Sequence, residues 1–253
     1  MKIAICATNF VGYKLSSFVA KQGHPIEFAM TGKNDSYEER IYDIFSKNNI
    51  ECHRSMDINS KEFVNLLKKN NIDLVFLLWW PKIVKKDVIQ SANIGFVNLH
   101  PSLLPYNRGK HPYYWSIVDH TPAGVSIHFI TEGIDDGALL CQKHIKTDIT
   151  TTGEDLYLGS IKEIMSLFKE NYRAIIENSL QRRKQNINEG TFHLEKEIEN
   201  HSEIDLDKNY RAFELLDIMR ARSFPGRPSS FFYLNKEKYY VNIMITKVAN
   251  NEF

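Results

Sequence analysis

The sequence has few cysteines and no pattern that would tie them together. Of its 253 residues three are cysteines, Cys6, Cys52 and Cys141, and none belongs to a CxxC pair, so a zinc ribbon or a redox dithiol is not indicated. Cys6 lies within an apolar run and is expected to be a buried free thiol. Scattered free thiols suit a reducing compartment, which here means the cytoplasm.

Long apolar segments and an excess of charge are also absent. No stretch of the sequence is long enough to cross a bilayer, and the N-terminus shows no cleavage-site pattern. The formal net charge of +1 gives no overall field that would attract nucleic acid or an anionic membrane. We therefore expect no membrane partner, and nucleic acid is not the favoured ligand.

The first hundred residues alternate between short apolar runs and helical periodicity. Runs at 2–7, 25–30, 73–78 and 94–100 predict buried strands, and 36–48 and 60–70 predict amphipathic helices. This alternation predicts an α/β fold, a Rossmann-like and mostly parallel twisted sheet that is covered on both faces. The first turn, Thr8–Gly12, is not GxGxxG, so a nicotinamide cofactor is not indicated.

The pattern changes after residue 120. Two β-like runs, 124–130 and 138–146, predict a long hairpin, and helical spacing follows from about 152 to 180. The polar residues beyond it predict a linker or irregular segment, followed by a helix and two β-like runs. We predict a main domain at 1–184, a linker at 185–209, and a small C-terminal unit of a helix plus a β-hairpin at 210–253.

Two polar side chains close the strand predicted at 94–100. Asn98 and His100 are two residues apart and point to the same face. Pro101 cannot continue the ladder, so the chain leaves the sheet there, at the edge where open α/β sheets bind ligands. Two interpretations remain open: a polar strand end that caps a loop, or an amide and an imidazole at the rim of a crevice.

The hairpin loop carries two adjacent acids, Asp135 and Asp136. One of them could reach His100, or both could be solvated turn residues. A calcium loop would need oxygen ligands at alternate positions and a later bidentate Glu, and no metal site is evident. His128 is either a structural histidine or a supporting neighbour of the polar strand end.

Four stretches together resemble the folate-dependent formyltransferases. They are the run Asn98–Pro105 (NLHPSLLP), Arg108-Gly109 with Pro112, the run Gly124–His128 (GVSIH), and the run Ile134–Gly137 (IDDG), in the order and at the spacing of that family. The likeness extends over most of residues 1–180, and a weaker one covers residues 220–245. The resemblance makes 1–184 the catalytic formyltransferase domain.

The resemblance implies an enzyme with 10-formyltetrahydrofolate as co-substrate and a catalytic trio of Asn98, His100 and Asp135. Asp135 is preferred over Asp136 because the family's acid stands two residues before the glycine. In the family the pterin is held largely by backbone groups; by resemblance the pocket is lined by Lys82, Ile83, Val84, Ser102, Leu103, Leu104, Pro105, Lys110, Thr131, Glu132, Gly133 and Ile134. Asn9, Phe10 and Arg108 are predicted to face the acceptor.

The family's acceptors are glycinamide ribonucleotide, methionyl-tRNA and nucleotide-linked amino sugars. The chain continues well beyond the long helix, its basic clusters are short, and Arg108–Pro112 followed by three aromatic residues looks most like the amino-sugar branch. We predict N-formylation of a dTDP- or UDP-linked amino-deoxysugar for surface polysaccharide (lipopolysaccharide O-antigen) biosynthesis, by a homodimer. The alternatives are methionyl-tRNA formyltransferase, a non-catalytic folate or nucleotide-sugar binding module, and a formyl hydrolase.

Overall fold

The computed structural model describes residues 1–248, which form two compact units. The first unit comprises 1–100, 126–142 and 164–185; the second comprises 101–125, 143–163 and the chain from 186 onward. The division into a main domain at 1–184, a linker at 185–209 and a C-terminal unit at 210–253 stays a prediction. Composition gave no sign that 101–125 and 143–163 leave the first unit, because chain crossings do not alter local composition.

Within residues 1–248 the chain forms eleven strands and eight α-helices, with a 3₁₀ turn at Ile187–Glu189. The strands are β1 (Ile3–Ala7), β2 (Ile26–Thr31), β3 (Cys52–His53), β4 (Leu74–Leu78), β5 (Gly95–His100), β6 (Arg108–Gly109), β7 (Gly124–Phe129), β8 (Leu139–His144), β9 (Phe192–His193), β10 (Ser230–Leu234) and β11 (Glu237–Val241). The helices are α1 (Asn9–Val19), α2 (Glu38–Lys47), α3 (Lys61–Lys69), α4 (Lys86–Ile89), α5 (Pro112–Val118), α6 (Gly153–Ile176), α7 (Glu197–His201) and α8 (Ala212–Ala221).

A seven-stranded sheet in the order β3-β2-β1-β4-β5-β7-β8 confirms the predicted fold class. Neighbours from β3 to β5 pair in parallel, and β5 pairs antiparallel with β7. Every residue of β1 and β4 is buried, as expected of strands covered on both faces. The strand order reverses at β1 and β4, and crevices form beyond the carboxyl ends at such points.

Apolar helix faces build the core of the first unit. Helix α3 buries Phe63 and Leu67, and Ser60 caps its start by accepting a hydrogen bond of 3.1 Å from the Phe63 amide. These side chains join the strand residues Phe28 and Phe96 in one buried cluster. The observed α2 and α3 lie within the predicted helices 36–48 and 60–70, because strong amphipathic periodicity reports a single buried face.

The second unit has an aromatic core and a polar network that orders the predicted linker. Buried Asn107 donates to Ser116 Oγ and Thr121 Oγ1, each at 2.8 Å, and accepts from Thr191 Oγ1 at 2.8 Å. Strand β9 pairs with β6, and the His193 ring stacks on Trp115 with centroids 3.8 Å apart. Residues 185–209 were predicted as a linker or irregular segment, but they hold the 3₁₀ turn, β9 and α7. Their polar side chains find partners distant in sequence, which local composition does not show.

The chain ends in the predicted helix and hairpin, observed as α8 and the antiparallel pair β10–β11. Arg220 of α8 is buried, and its guanidinium donates to Asp217 Oδ1 at 2.6 Å and to the Asp148 and Thr151 carbonyls. The hairpin carries three exposed tyrosines, Tyr233, Tyr239 and Tyr240. The predicted C-terminal unit, 210–253, includes residues 249–253, which lie outside the described residues. In the described part of the chain no helix is both long and apolar enough to cross a membrane.

Candidate active site

Two neighbouring strands place Asn98 and His128 side by side. Asn98 of β5 pairs with His128 of β7, and His100 pairs with Ser126, so these side chains share one face of the sheet. The Asn98 carboxamide nitrogen lies 3.4 Å from His128 Nε2. Asn98 is level with Leu77 of β4, one residue before that strand ends, so the polar pair sits at the carboxyl edge of the parallel strands.

The protonation of His128 follows from its surroundings. Burial lowers the pKa of His128, against the opposing charge of Asp135, so the ring is neutral at neutral pH. His128 Nδ1 lies 2.8 Å from the Phe129 carbonyl, which can only accept, so Nδ1 carries the proton. Nε2 is then an acceptor for the Asn98 amide. His128 thereby orients Asn98, whose second N–H remains a donor for another group.

The hairpin loop delivers Asp135 to the same place. Asp135 Oδ2 lies 3.4 Å from His100 Nδ1, and Oδ1 lies 3.6 Å from His128 Nε2. The side chains of His100 and Asp135 are 7% and 14% exposed, so water screens their interaction weakly. Asp135 has a φ of +52°, in the left-handed region that aspartate tolerates better than most residues.

The adjacent acid, Asp136, takes a local role instead. Its carboxylate accepts a hydrogen bond from Thr131 Oγ1, within the loop itself. Of the two candidate acids, Asp135 is the one that the loop brings to His100.

Asn98, His128, Asp135 and His100 therefore lie next to one another in a chain; because the neutral His128 presents an acceptor to Asp135, the charged partner of Asp135 in the proposed chemistry is His100. Asp135 sits on the Nδ1 side of His100, which leaves Nε2 as the nitrogen on the far side of the ring. An imidazole backed by a carboxylate can take up a proton, and an amide N–H can stabilise a developing negative oxygen. This set suits acyl transfer. No cluster of three or more metal-binding side chains occurs within residues 1–248.

The segment that follows β4 is held by a neighbouring asparagine. Asn59 donates to the Ile83 carbonyl at 2.9 Å and accepts from the Lys85 amide at 2.8 Å. Ile83 is 69% exposed, whereas the Val84 side chain is buried in the core cluster. Lys82 is exposed and lies 4.0 Å from Asp57. Of the three residues predicted here to line a pocket, Val84 could contribute only its backbone.

The predicted pocket residues Thr131, Glu132, Gly133 and Ile134 are all exposed. Glu132 forms an ion pair of 2.6 Å with Lys86 at the start of α4, which joins the acid loop to the segment after β4. Both predicted pterin-binding segments of the first unit thus lie next to each other.

Five other predicted pocket residues belong to the second unit. Ser102 is buried and donates to the Tyr106 carbonyl at 2.7 Å, Leu103 and Leu104 are buried, and Pro105 is partly buried. Lys110 lies 3.5 Å from Glu195.

The predicted acceptor residues are divided between the two units. In the first unit Asn9 is the first residue of α1, and its side chain accepts a hydrogen bond of 3.0 Å from the Val11 amide; Phe10 is 38% exposed against Tyr37. In the second unit the Arg108 amide donates to the Thr191 carbonyl, and its guanidinium lies over Phe192. Asn9 and Phe10 follow β1, at the edge of the sheet where β5 also ends.

A family model described as formyl transferase matches residues 27–163, more than half of the chain. The chain belongs to the formyl transferase family. A second model, the N-formyltransferase dimerization C-terminal domain, matches residues 197–247 of this formyl transferase. The resemblance carried by the motifs of residues 98–137 is therefore confirmed.

Three relatives show how far this formyl transferase resembles characterised proteins. It is 27% identical over 251 residues to the bifunctional polymyxin resistance protein ArnA of Wigglesworthia glossinidia brevipalpis, covering 95% of this chain and 37% of ArnA. A 4-N formyltransferase from Francisella tularensis matches with a TM-score of 0.79 and 25% identity over 98% of each chain. WlaRD, a sugar 3-N formyl transferase solved with dTDP and 5-N-formyl-THF, matches with a TM-score of 0.67 and 25% identity over 94% of this chain and 84% of WlaRD.

The chain is shorter than its curated relatives. It spans between 37% and 58% of the length of ArnA and of the methionyl-tRNA formyltransferases of Clostridioides difficile and Clostridium tetani. These matches establish the family of this formyl transferase but not its acceptor.

The sequence did not decide between a structural and a supporting role for His128. It also gave no sign of Asn59 and Lys86, which hold the segment after β4 and the acid loop. The alternation of β7 placed His128 on the face of Ser126, but only the register with β5 shows that this face also carries Asn98 and His100. Asn59 and Lys86 carried no signal, because a lone polar residue at a helix start is usually a surface residue.

Proposed function

We propose that this protein transfers the formyl group of 10-formyltetrahydrofolate to the primary amine of a nucleotide-linked amino-deoxysugar, with dTDP or UDP as the nucleotide. The observation that carries the proposal is the contact chain Asn98–His128–Asp135–His100 at the carboxyl edge of the sheet. The reduced folate supplies an activated formyl group when bound. The donors and acceptors of the contact chain fit attack on such a carbonyl carbon.

Each side chain has a distinct part in the proposed transfer. The second N–H of Asn98 donates to the formyl oxygen as negative charge develops there, an effect typically worth ~3 kcal/mol. His100 takes the proton from the attacking amine and returns it to the departing folate nitrogen, so that a carbon–nitrogen bond forms as another breaks. Asp135 stabilises the imidazolium of His100 at 3.4 Å. His128 stays neutral and keeps Asn98 aligned.

We propose that the pterin lies against the two connected segments 82–84 and 131–134. Backbone groups of the exposed loop 131–134 suit the recognition of pterin edges, and the Lys86–Glu132 pair joins the two segments. WlaRD, of the same family, was solved with a formylated folate and with dTDP. Asn9 and Phe10 at the end of β1 are proposed to meet the acceptor, and Arg108 of the second unit stays a predicted acceptor residue.

The basic side chains of this protein support a sugar acceptor over tRNA. In the cluster at 220–222, Arg220 is buried in its ion pair, and Arg222 is buried and lies 3.4 Å from Glu199. In the other cluster, at 181–184, the Arg182 guanidinium lies over the Phe129 ring at 4.0 Å. Guanidinium groups engaged in this way do not form the phosphate-neutralising surface that tRNA needs.

We also propose a homodimer that assembles through the hairpin β10–β11. The residues matched by the dimerization domain, 197–247, include this hairpin. Tyr233 and Tyr240 are exposed on one face of the hairpin, and Leu234 and Tyr239 are exposed on the other, with Met244 just beyond. Patches of this kind mark interaction sites.

The three free cysteines favour a reducing compartment, and we place the reaction in the cytoplasm, where its product would enter O-antigen or related surface polysaccharides.

The test is a set of parallel incubations of the purified protein with 10-formyltetrahydrofolate. Each contains one dTDP- or UDP-linked amino sugar, or methionyl-tRNA, and mass spectrometry looks for the added formyl group. We expect formylation of an amino sugar and none of the tRNA. Formylation of the tRNA alone would reject the acceptor, and formate release without an acceptor would indicate a hydrolase. Binding of the folate without any turnover would indicate a non-catalytic module.

A further inference from the structure

Gln185 connects the end of the first unit to the loop that carries Asp135. Its side-chain nitrogen donates to two backbone carbonyls of that loop, the Asp135 carbonyl at 2.9 Å and the Gly137 carbonyl at 2.7 Å. A carboxamide has two N–H donors, so both are used on the acid loop. The residue is 6% exposed, and these bonds are therefore formed away from solvent.

The position of Gln185 follows from a short stretch of backbone pairing. The amide and carbonyl of Arg183 both bond Leu139, at 2.9 and 2.8 Å, as in an antiparallel pair. Two residues further along the same register, Gln185 stands opposite Gly137. From there its side chain reaches back along the loop to residue 135. The loop path is tight, since a Cβ on Gly137 would overlap the Phe129 carbonyl.

The orientation of the amide is fixed by its partners. Two carbonyls require donors, so the side-chain nitrogen must face the loop and Oε1 must face away. Oε1 is buried, and it makes no hydrogen bond within the described part of the chain. Unsatisfied buried acceptors are rare in folded proteins, so this arrangement gives up one hydrogen bond in order to keep two on the acid loop.

Asp135 is the residue that gains most from this anchor. It holds a left-handed backbone conformation with a φ of +52°, and its carboxylate must stay 3.4 Å from His100 Nδ1. The neighbouring loop residues 131–134 are exposed, and they are held by surface contacts, the Glu132–Lys86 ion pair and the Thr131–Asp136 hydrogen bond. Hydrogen bonds on both sides of residue 136 restrain the turn that aims the Asp135 carboxylate.

We propose that Gln185 is a positioning residue that holds the 135–137 backbone so that the Asp135 carboxylate stays against His100. Its catalytic consequence rests on the proposed formyl transfer. It touches neither His100 nor the reacting groups, and acts through Asp135. Displacement of a catalytic group by ~1 Å can cost 10²-fold in rate, so we expect loss of the anchor to lower kcat by ~10- to 100-fold.

The test is a double-mutant cycle in the full-length protein. Gln185→Met keeps the side-chain volume and removes both donors, and it is made in the wild-type and Asp135→Asn backgrounds. We expect kcat to fall ~10- to 100-fold in the first background and less than about threefold in the second, with KM values nearly unchanged. Gln22→Met is the control, since it removes one exposed amide-to-carbonyl bond, to Phe18, and should leave kcat unaltered. Equal losses in both backgrounds would assign Gln185 a general structural role and overturn the proposal.

A structural measurement separates this proposal from the choice of acceptor. In a crystal structure of Gln185→Met we expect the separation of Asp135 Oδ2 from His100 Nδ1 to lengthen beyond about 4 Å, the limit of an ion pair. An unchanged separation would overturn the proposal even if the enzyme forms formylated sugars. A lengthened one would support the positioning of Asp135 even if no acceptor of the panel reacts. Should Gln185→Met fold poorly, Gln185→Asn is measured instead, because its shorter side chain cannot reach both carbonyls.

Discussion

Asp135→Asn is the sharpest perturbation of the proposed mechanism, because it removes a charge and little else. Asparagine is isosteric with aspartate and adopts the left-handed conformation equally well, so the φ of +52° is preserved. Gln185 bonds the backbone at residue 135, and that bond does not depend on the side chain. We therefore expect the free energy of unfolding to change by less than about 1 kcal/mol, a shift in Tm of no more than about 4 °C.

The expected loss of activity follows from the geometry of the pair. At 3.4 Å and an effective dielectric constant of ~20, a carboxylate stabilises an imidazolium by about 5 kcal/mol. Each factor of ten in rate corresponds to about 1.4 kcal/mol, so complete loss of this term would slow proton transfer by between 10³- and 10⁴-fold. The asparagine dipole recovers part of the interaction. We expect kcat to fall by about 10³-fold, within the usual range for acid–base catalysis.

The assay is the initial rate of folate-dependent formylation, measured beside thermal unfolding of each variant. Asp136→Asn is the matched control, because it removes the adjacent charge from a carboxylate that bonds Thr131 Oγ1. We expect its kcat to stay within a few-fold of wild type. The reasoning fails if Asp135→Asn keeps more than a tenth of the activity, or if both variants lose activity to the same extent.

Three further outcomes follow from the described contacts. Burial lowers the pKa of His128, so below about pH 6.5 the unfolded chain binds a proton that the folded protein excludes. As the pH falls below that value, the free energy of unfolding should decrease by up to about 1.4 kcal/mol per pH unit. Urea unfolding should show a smaller decrease for His128→Gln. Arg220→Met should lower the free energy of unfolding by about 3–5 kcal/mol, because the buried Asp217 then keeps only the exposed His120 ring, at 3.2 Å, as a partner, whereas Arg173→Met, in an exposed pair, should cost less than about 0.5 kcal/mol. Tyr240→Glu places a charge on the exposed hairpin and should convert the proposed dimer to monomer in sedimentation, and a dimer that persists would locate the interface elsewhere.

Most of the sheet could be predicted because its strands are continuous apolar runs. The runs at 2–7 and 73–78 contain β1 and β4, each buried throughout, and both lie where the sequence placed them. The two-residue strands and the helices of four to seven residues were not predicted. Strands β6 and β9 are two residues each and exist because they pair with one another, and α5 begins at Pro112 in a stretch of aromatics that has no amphipathic period.

In the site, too, the positions set by local chain geometry could be predicted, and those set by tertiary structure could not. Asn98 and His100 were predicted to share a face because side chains alternate along a strand, a rule that needs no tertiary information. Their relation to His128 depends on the register of β5 against β7, and the relation of Asp135 to His100 depends on the path of a loop. Without the family resemblance, the sequence leaves Asp135 and Asp136 indistinguishable, since both are acids in a glycine-containing turn.

Gln185 shows why the anchors of a site are harder to find than its reacting groups. A reacting group needs a particular chemistry, so its residue type is itself a signal. An anchor needs only two donors in the right place, and the position of those donors is set by the Arg183–Leu139 pairing and not by the residues around Gln185. The basic, polar stretch that surrounds it predicts a linker. If the anchor fixes Asp135, then residues outside the family's motif contribute to its geometry, and transfer of the motif residues alone to another chain would not reproduce the rate.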